Sequence, residues 1–269
     1  MREYLLGIAL IAAVFTFSWL ACSGRVGSVP RGVTLVAASD STVLVSWNEP
    51  EAGTPDSYLV YFRRAGSEGY VPLVELTATE YEHDPQGMTG CYRIAALFGA
   101  DLYYADEIPS TLPVATSGIV LAEVNASGNS GFGWDRTTGL GESYTMREAT
   151  SAAHVDFFVT DFQLGYGGPT YALASPTYGP SDPSGEVPVA PWRLTRFTAA
   201  LPGERAPLPA YDDRVYLPFR DVEAGFTGGC YTDDGHYAMV KVTAVNTLTG
   251  ELRFDGWFQL VAGLRLIRH

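Results

Sequence analysis

Residues 41–50 read STVLVSWNEP. Val43, Val45 and Trp47 fall on one side of an extended chain and Leu44 and Ser46 on the other, because successive side chains of a strand point to opposite faces. Pro50 ends the run, having no N–H to give to a sheet ladder. The alternation returns in 56–64, DSYLVYFRR, with Tyr58, Val60 and Phe62 on one face, and in 89–97, TGCYRIAAL, with Tyr92, Ile94 and Ala96. Short strands of this kind, bounded by turn residues, predict a β sandwich. The 29 Gly and 17 Pro lie scattered between short apolar stretches, which extends the all-β expectation to the whole chain.

From 29 to 116 these residues resemble a fibronectin type III domain. Pro30 stands at the usual start, and Trp47 takes the position of the tryptophan of the second strand, followed by Pro50. Tyr58 to Arg63 resemble the third strand. Tyr92 to Ala96 resemble the sixth, with Tyr92 in the tyrosine-corner role, and 107–110, EIPS, resembles the entry to the last. The resemblance implies a spacer or binding module without a catalytic role.

From 117 to 269 a second antiparallel β-rich domain is expected. In 237–246, Ala238, Val240, Val242 and Ala244 share a face, and in 251–260 so do Leu252, Phe254, Phe258 and Leu260. The 247–250 stretch TLTG between them is a hairpin signal. GIVLAEVN (118–125) and HVDFFVTDF (154–162) also read as strands, whereas 176–191 and 202–209 read as Pro/Gly-rich loops. This half resembles the HmuY-like lipoproteins, a bacterial envelope family with haem-binding members. The matching residues are Tyr231, Asp234-Gly235, Tyr237-Ala238, Phe254, Trp257-Phe258 and Gln259, with GFGWDRTTG (131–139) and VDFFV (155–159) before them. In the family's haem binders the ligating histidines come from the middle of the domain. Between Val155 and Gly235 this chain has no histidine or methionine and only Cys230. Haem held by His154 and His236 is therefore not expected, and no cofactor is assigned. Tyrosine ligation stays open, with Arg193, Arg196, Arg205, Arg214 and Arg220 as basic partners.

Ahead of both domains, 4–21 is an uncharged apolar run behind Met1, Arg2 and Glu3, which reads as a secretory signal. Ala21-Cys22-Ser23-Gly24 resembles the end of a bacterial lipobox, although Trp19 stands where the family usually has Leu. That resemblance implies acylation of Cys22 and a lipid-anchored envelope protein with residues 22–28 as tether. Ser23, in place of Asp, points to the outer membrane. An uncleaved membrane anchor and ordinary cleavage near Ala21, giving a secreted protein, are the other readings.

The formal net charge of −13 repels phosphate backbones, so nucleic acid is not an expected partner. Neither HExxH nor CxxC occurs, so no metal site is assigned. Asp233, Asp234 and Gly235 read as a tight turn. Ser130 in GNSGFG lacks the nucleophile-elbow spacing and reads as a loop serine. No catalytic residue is assigned. The expected function is a non-catalytic binding module whose ligand is a protein, a glycan or a small molecule. The rivals are a polysaccharide hydrolase, whose paired acids carry no sequence spacing, and a purely structural envelope protein. In an oxidising compartment, Cys91 and Cys230 are the two thiols that a disulfide would join.

Overall fold

The computed structural model describes residues 27–267. The expected signal segment 1–21, the acylation candidate Cys22 and His269 lie outside the described residues.

The expected strands form. The first sandwich comprises β1 (Arg31–Ala37), β2 (Val43–Asn48), β3 (Ser57–Arg64), β4 (Val71–Leu76), β5 (Glu80–His83), β6 (Gly90–Phe98) and β7 (Asp101–Tyr104). One sheet has the order β1-β2-β5 and the other β4-β3-β6-β7. The alternating residues meet between them: Val43, Val45, Trp47, Tyr58, Val60, Phe62, Tyr92, Ile94 and Ala96 make one core. Trp47 packs edge-on to Tyr58 at 5.4 Å. Tyr92 departs from its expected corner role, in which the hydroxyl bonds upstream backbone. Here β5 ends at His83, whose ring lies against Phe62 and Tyr92, and the Tyr92 hydroxyl meets His83 Nδ1 at 2.8 Å. The last strand of the sandwich is short: Tyr92 N–H donates to the Pro109 carbonyl and Thr111 N–H to that of Gly90.

The chain then runs straight into β8 (Val114–Ala122) of the second sandwich. Nine strands follow: β9 (Gly131–Trp134), β10 (Gly141–Tyr144), β11 (Phe157–Thr160), β12 (Tyr171–Ala174), β13 (Thr195–Phe197), β14 (Phe219–Val222), β15 (Thr227–Thr232), β16 (Tyr237–Asn246) and β17 (Glu251–Phe258). Sheet β10-β9-β11-β12-β14 packs on sheet β13-β15-β16-β17-β8. Phe132, Phe157 and Phe254 meet at 4.9–5.4 Å in the middle of the core. The expected hairpin is β16–β17, with Val240, Val242, Leu252, Phe254 and Phe258 fully buried. A bulge between Val242 and Ala244 takes Ala244 off that face.

After β17 the chain crosses back to the first sandwich. Gln259 Nε2 donates to the carbonyls of Thr111 and Leu266 at 2.9 and 2.6 Å. Leu264 and Leu266 enter the first core, while Ile267 joins Leu208, Tyr216 and Tyr237 of the second. Between them Arg265 donates its backbone N–H to the Asp40 carbonyl and Nε to the Asp40 carboxylate, both across the domain junction. The last described residues thus strap the two sandwiches together.

Candidate functional site

Asp156 opens the run into β11, and its side chain is fully buried. A buried carboxylate is costly unless it is paired and hydrogen-bonded. Four donors converge on it. The Trp134 N–H and Arg136 Nη1 reach Oδ2, each at 2.8 Å, and Arg136 Nη2 and Arg193 Nη1 reach Oδ1 at 2.7 and 3.2 Å. Arg136 also gives Nε to Asp234 at 2.5 Å and lies 5.2 Å above the Phe258 ring. Burial alone would pull Arg136 down, but its bonds to Asp156 and Asp234 outweigh that and hold it above the ordinary arginine value. Burial likewise pushes Asp234 up, and the donors Arg136 and Thr232 reverse the direction.

This buried hub underlies a cleft of about 590 Å³ at the β9–β10 end of the sandwich. One wall is Tyr144 stacked on His154, ring centroids 5.5 Å apart and planes 14° from parallel. The other is the turn from β9 to β10, which contributes Asp135, Thr137 and Thr138, with Glu142 beside Tyr144 on β10. The turn is held by Asp135 Oδ1, which accepts the N–H groups of Thr137 and Thr138 and the Thr138 hydroxyl. Those donors, the Thr138 backbone first, keep Asp135 below the usual carboxylate range. Tyr144 donates its hydroxyl to Glu142 at 3.2 Å, and burial, then Glu142, raises its pKa. Gly133 brings the walls together: a Cβ there would collide with the His154 carbonyl oxygen. Arg193 spends Nη1 on Asp156 and the His154 carbonyl, leaving Nε and Nη2 without a hydrogen bond among the described residues. The cleft therefore offers a flat aromatic pair, hydroxyls, a carboxylate and a partly free guanidinium on a rigid base.

A second aromatic surface adjoins it. Leu194, next to Arg193, lines a smaller cleft with Arg196, Tyr211, Tyr231 and Asp233. Tyr211 and Tyr231 stack there at 4.0 Å. Of the tyrosines between 163 and 220, Tyr171 and Tyr216 are wholly buried, whereas Tyr166, Tyr178 and Tyr211 are exposed.

In the structure the thiols of Cys91 and Cys230 are both free. They lie in different sandwiches. Cys91 lies on the outer face of β6, 3.7 Å from the Ser110 hydroxyl. Cys230 is fully enclosed in the second core, and burial pushes its thiol well above the ordinary value. Ser130 is buried. His236 is buried against Phe258, with Nδ1 2.8 Å from the Gln259 carbonyl. The 233–235 turn forms, with Gly235 at φ +85°. Asp234 holds an ion pair to Arg136 besides its place in the turn, and the roles of Asp156 and Arg136 emerge only in the fold. A carboxylate preceding the apolar Phe157-Phe158-Val159 was the available signal, since such a charge has to find partners once buried.

No family model matches the chain, and no curated protein matches it. Among solved structures, a fibronectin type III domain of human collagen XX is similar over 32% of this chain and 94% of its own, at 15% identity and a TM-score of 0.27. The FN5 domain of Drosophila Lar is similar over 32% and 96%, at 14% identity and a TM-score of 0.26. The chain spans about a third (31%) of a titin structure of domains A168–A170, at 21% identity and a TM-score of 0.27. The three-plus-four sheet arrangement described above is itself fibronectin type III-like.

Proposed function

We propose that this protein is a lipid-anchored envelope protein that binds a ligand without catalysis, and that the cleft beside Tyr144 and His154 is where it binds. The observation that carries the reading is the buried Asp156, which fixes Arg136 and Arg193 beneath a stacked aromatic pair. Pre-organised polar groups beside an apolar platform are the chemistry of small-molecule and sugar sites. The first sandwich acts as the spacer, and the C-terminal strap makes the two sandwiches move together. The anchor is Cys22, as the lipobox resemblance implies, and the outer membrane is its destination.

Against hydrolysis stands the state of the acids. A glycosidase needs one carboxyl held protonated near neutral pH. Of the two carboxylates in the cleft, Asp135 is held below the ordinary range and Glu142 accepts the Tyr144 hydroxyl. Glu123, pushed up to about 7 by burial, has no solvent exposure and does not line the cleft. The scaffold of the HmuY-like proteins is retained in this reading without haem, because His236 is buried against Phe258 and does not line the cleft that holds His154.

Two measurements test the proposal. Cys22→Ser should leave an unprocessed precursor, and normal processing and release would mean ordinary secretion. A panel of neutral and acidic oligosaccharides, together with solubilised envelope extract, should yield a ligand retained by the protein and lost in Tyr144→Ala. Equal retention by that variant would remove the cleft from the account.

A further inference from the structure

The outer face of sheet β4-β3-β6-β7 carries a feature that a spacer does not need. Arg93 on β6 lies opposite Tyr61 on β3, and Arg63 on β3 lies opposite Cys91 on β6. The two arginines are therefore diagonal neighbours on one face, about 7–8 Å apart by sheet geometry. The Tyr70 ring sits between them, 5.0 Å from the Arg63 guanidinium and 5.9 Å from that of Arg93. Arg93 in turn lies 4.0 Å over Tyr104, whose ring is 6.0 Å from Tyr61. Glu75 also lies near Tyr61, with its carboxylate taken by the Ser57 hydroxyl at 2.5 Å.

The charge pattern is unusual for this chain. Residues 29–116 hold twelve Asp and Glu against four arginines, Arg31, Arg63, Arg64 and Arg93. Among the described residues, only Arg31 of these four meets a carboxylate, that of Glu51. Arg93 even keeps a buried Nε with no hydrogen-bond acceptor. Two like charges placed side by side, with acid available all around but none used, leave an unmet demand for an anion. Stacking on tyrosine faces holds each guanidinium in place; Arg63 gives Nη2 to the Cys91 sulfur at 3.9 Å, and the remaining terminal N–H groups of the pair are left for a forked contact with a carboxylate.

We propose that this face binds a glycan carrying an isolated carboxylate, a uronic acid residue within an otherwise neutral oligosaccharide. The net charge of −8 over these residues, four arginines less twelve acids, opposes a polyanion and leaves room for one anionic group at the arginine pair. The face also lacks what an acidic peptide would use. The arginines stand on the inner strands β3 and β6, which are paired on both sides, so strand addition has nothing to pair with beside them and only the outer edges of β4 and β7 are open. What remains is ring surface, tyrosine hydroxyls and guanidinium edges, which suit a hydroxylated ring that bears its carboxylate directly. This site is separate from the second-domain cleft and stands or falls independently of it.

The test is calorimetric titration of the full-length protein in detergent with glucuronosyl-xylotriose, against neutral xylotetraose, heparin and an Asp/Glu-rich peptide. The acidic tetrasaccharide should bind saturably and the neutral one should not. Arg93→Gln and Arg63→Gln should each weaken binding at least about tenfold, with Arg→Lys at either position recovering little, because the fork is lost. Arg214→Gln, an exposed pair with Asp212 on the second sandwich, should leave it unchanged. Near-UV circular dichroism checks that each variant is folded, and Arg63→Gln carries the test if Arg93→Gln is not. Equal binding of the neutral sugar would overturn the proposal. So would tighter binding of heparin, arginine-dependent binding of the peptide without the sugar, or sugar binding lost in Tyr144→Ala and kept in Arg93→Gln.

Discussion

In the second sandwich Asp156 has no solvent contact and accepts four donors, two of them from Arg136 and one from Arg193. In the first, Arg63 and Arg93 sit side by side on a sheet face with tyrosine rings for company and no carboxylate. The same residue type thus does two jobs in one chain. Where the carboxylate is buried, arginine is part of the framework, and the cleft above inherits a fixed floor. Where the carboxylate is withheld, arginine is held ready, and stability owes it little.

Removing the hub tests this difference most severely. Asp156→Ala takes the buried acceptor from Arg193 and leaves Arg136 only Asp234, and breaking a buried pair this way costs about 3–5 kcal/mol. Urea unfolding should register that loss, whereas Arg93→Gln should cost less than about 1 kcal/mol, as cation–π contacts at such sites contribute little. If the two variants cost the same, the contrast between framework and held-ready arginines is wrong.

The strap sharpens the comparison in another way. Leu264 follows the second sandwich in sequence but lies fully buried in the core of the first. Leu264→Ala should destabilise by about 2–5 kcal/mol. Hydrogen exchange should show the loss first in β2, β3 and β6. Loosening confined to the second sandwich would mean that the strap does not support the first core.

The two sandwiches also answer pH with opposite sign. Burial raises Glu123 in the second from its ordinary 4.5 to about 7. The unfolded chain releases that proton first, so this contribution falls as pH rises from about 4.5 to about 7. Burial lowers His83 in the first sandwich, against a smaller opposing effect of Asp84. There the unfolded chain takes up the proton first, and stability falls as pH drops below about 6.5. Glu123→Gln should flatten the first slope and His83→Gln the second, read from exchange in each sandwich. Slopes unchanged in both variants would assign the pH response to other groups. The smallest effect concerns the thiols. Alkylation of the unfolded protein without reductant should add two adducts for Cys91 and Cys230, while in the folded protein Cys230 should stay unreacted. A single unreactive pair would restore the bridge.

Much of the fold was legible because alternation reports burial directly. Val43, Val45, Trp47, Tyr58, Val60 and Phe62 were placed inward by period alone, and so were Val240, Val242, Leu252 and Phe254. Strands β12, β13 and β14 were not legible. They are three or four residues long, β12 is buried on both faces, and so short a run carries no period. The cleft was less legible still. Arg136, the His154–Asp156 stretch and Arg193 come from three separate segments: the pairing of β9 with β10 and β11 brings the first two together, and the packing of the other sheet adds Arg193. The role of His83 was hidden because the partner of the Tyr92 hydroxyl depends on where β5 stops, and alternation in β6 says nothing about that.

The claim at the centre of this account is that the cleft over Asp156 receives a ligand. Hydrogen exchange of the full-length protein, with and without the ligand retained from envelope extract or the oligosaccharide panel, tests it directly. The account predicts new protection in β10, around Ala153 and His154, and around Arg193 and Leu194. Protection elsewhere, with these three segments unchanged, would contradict it.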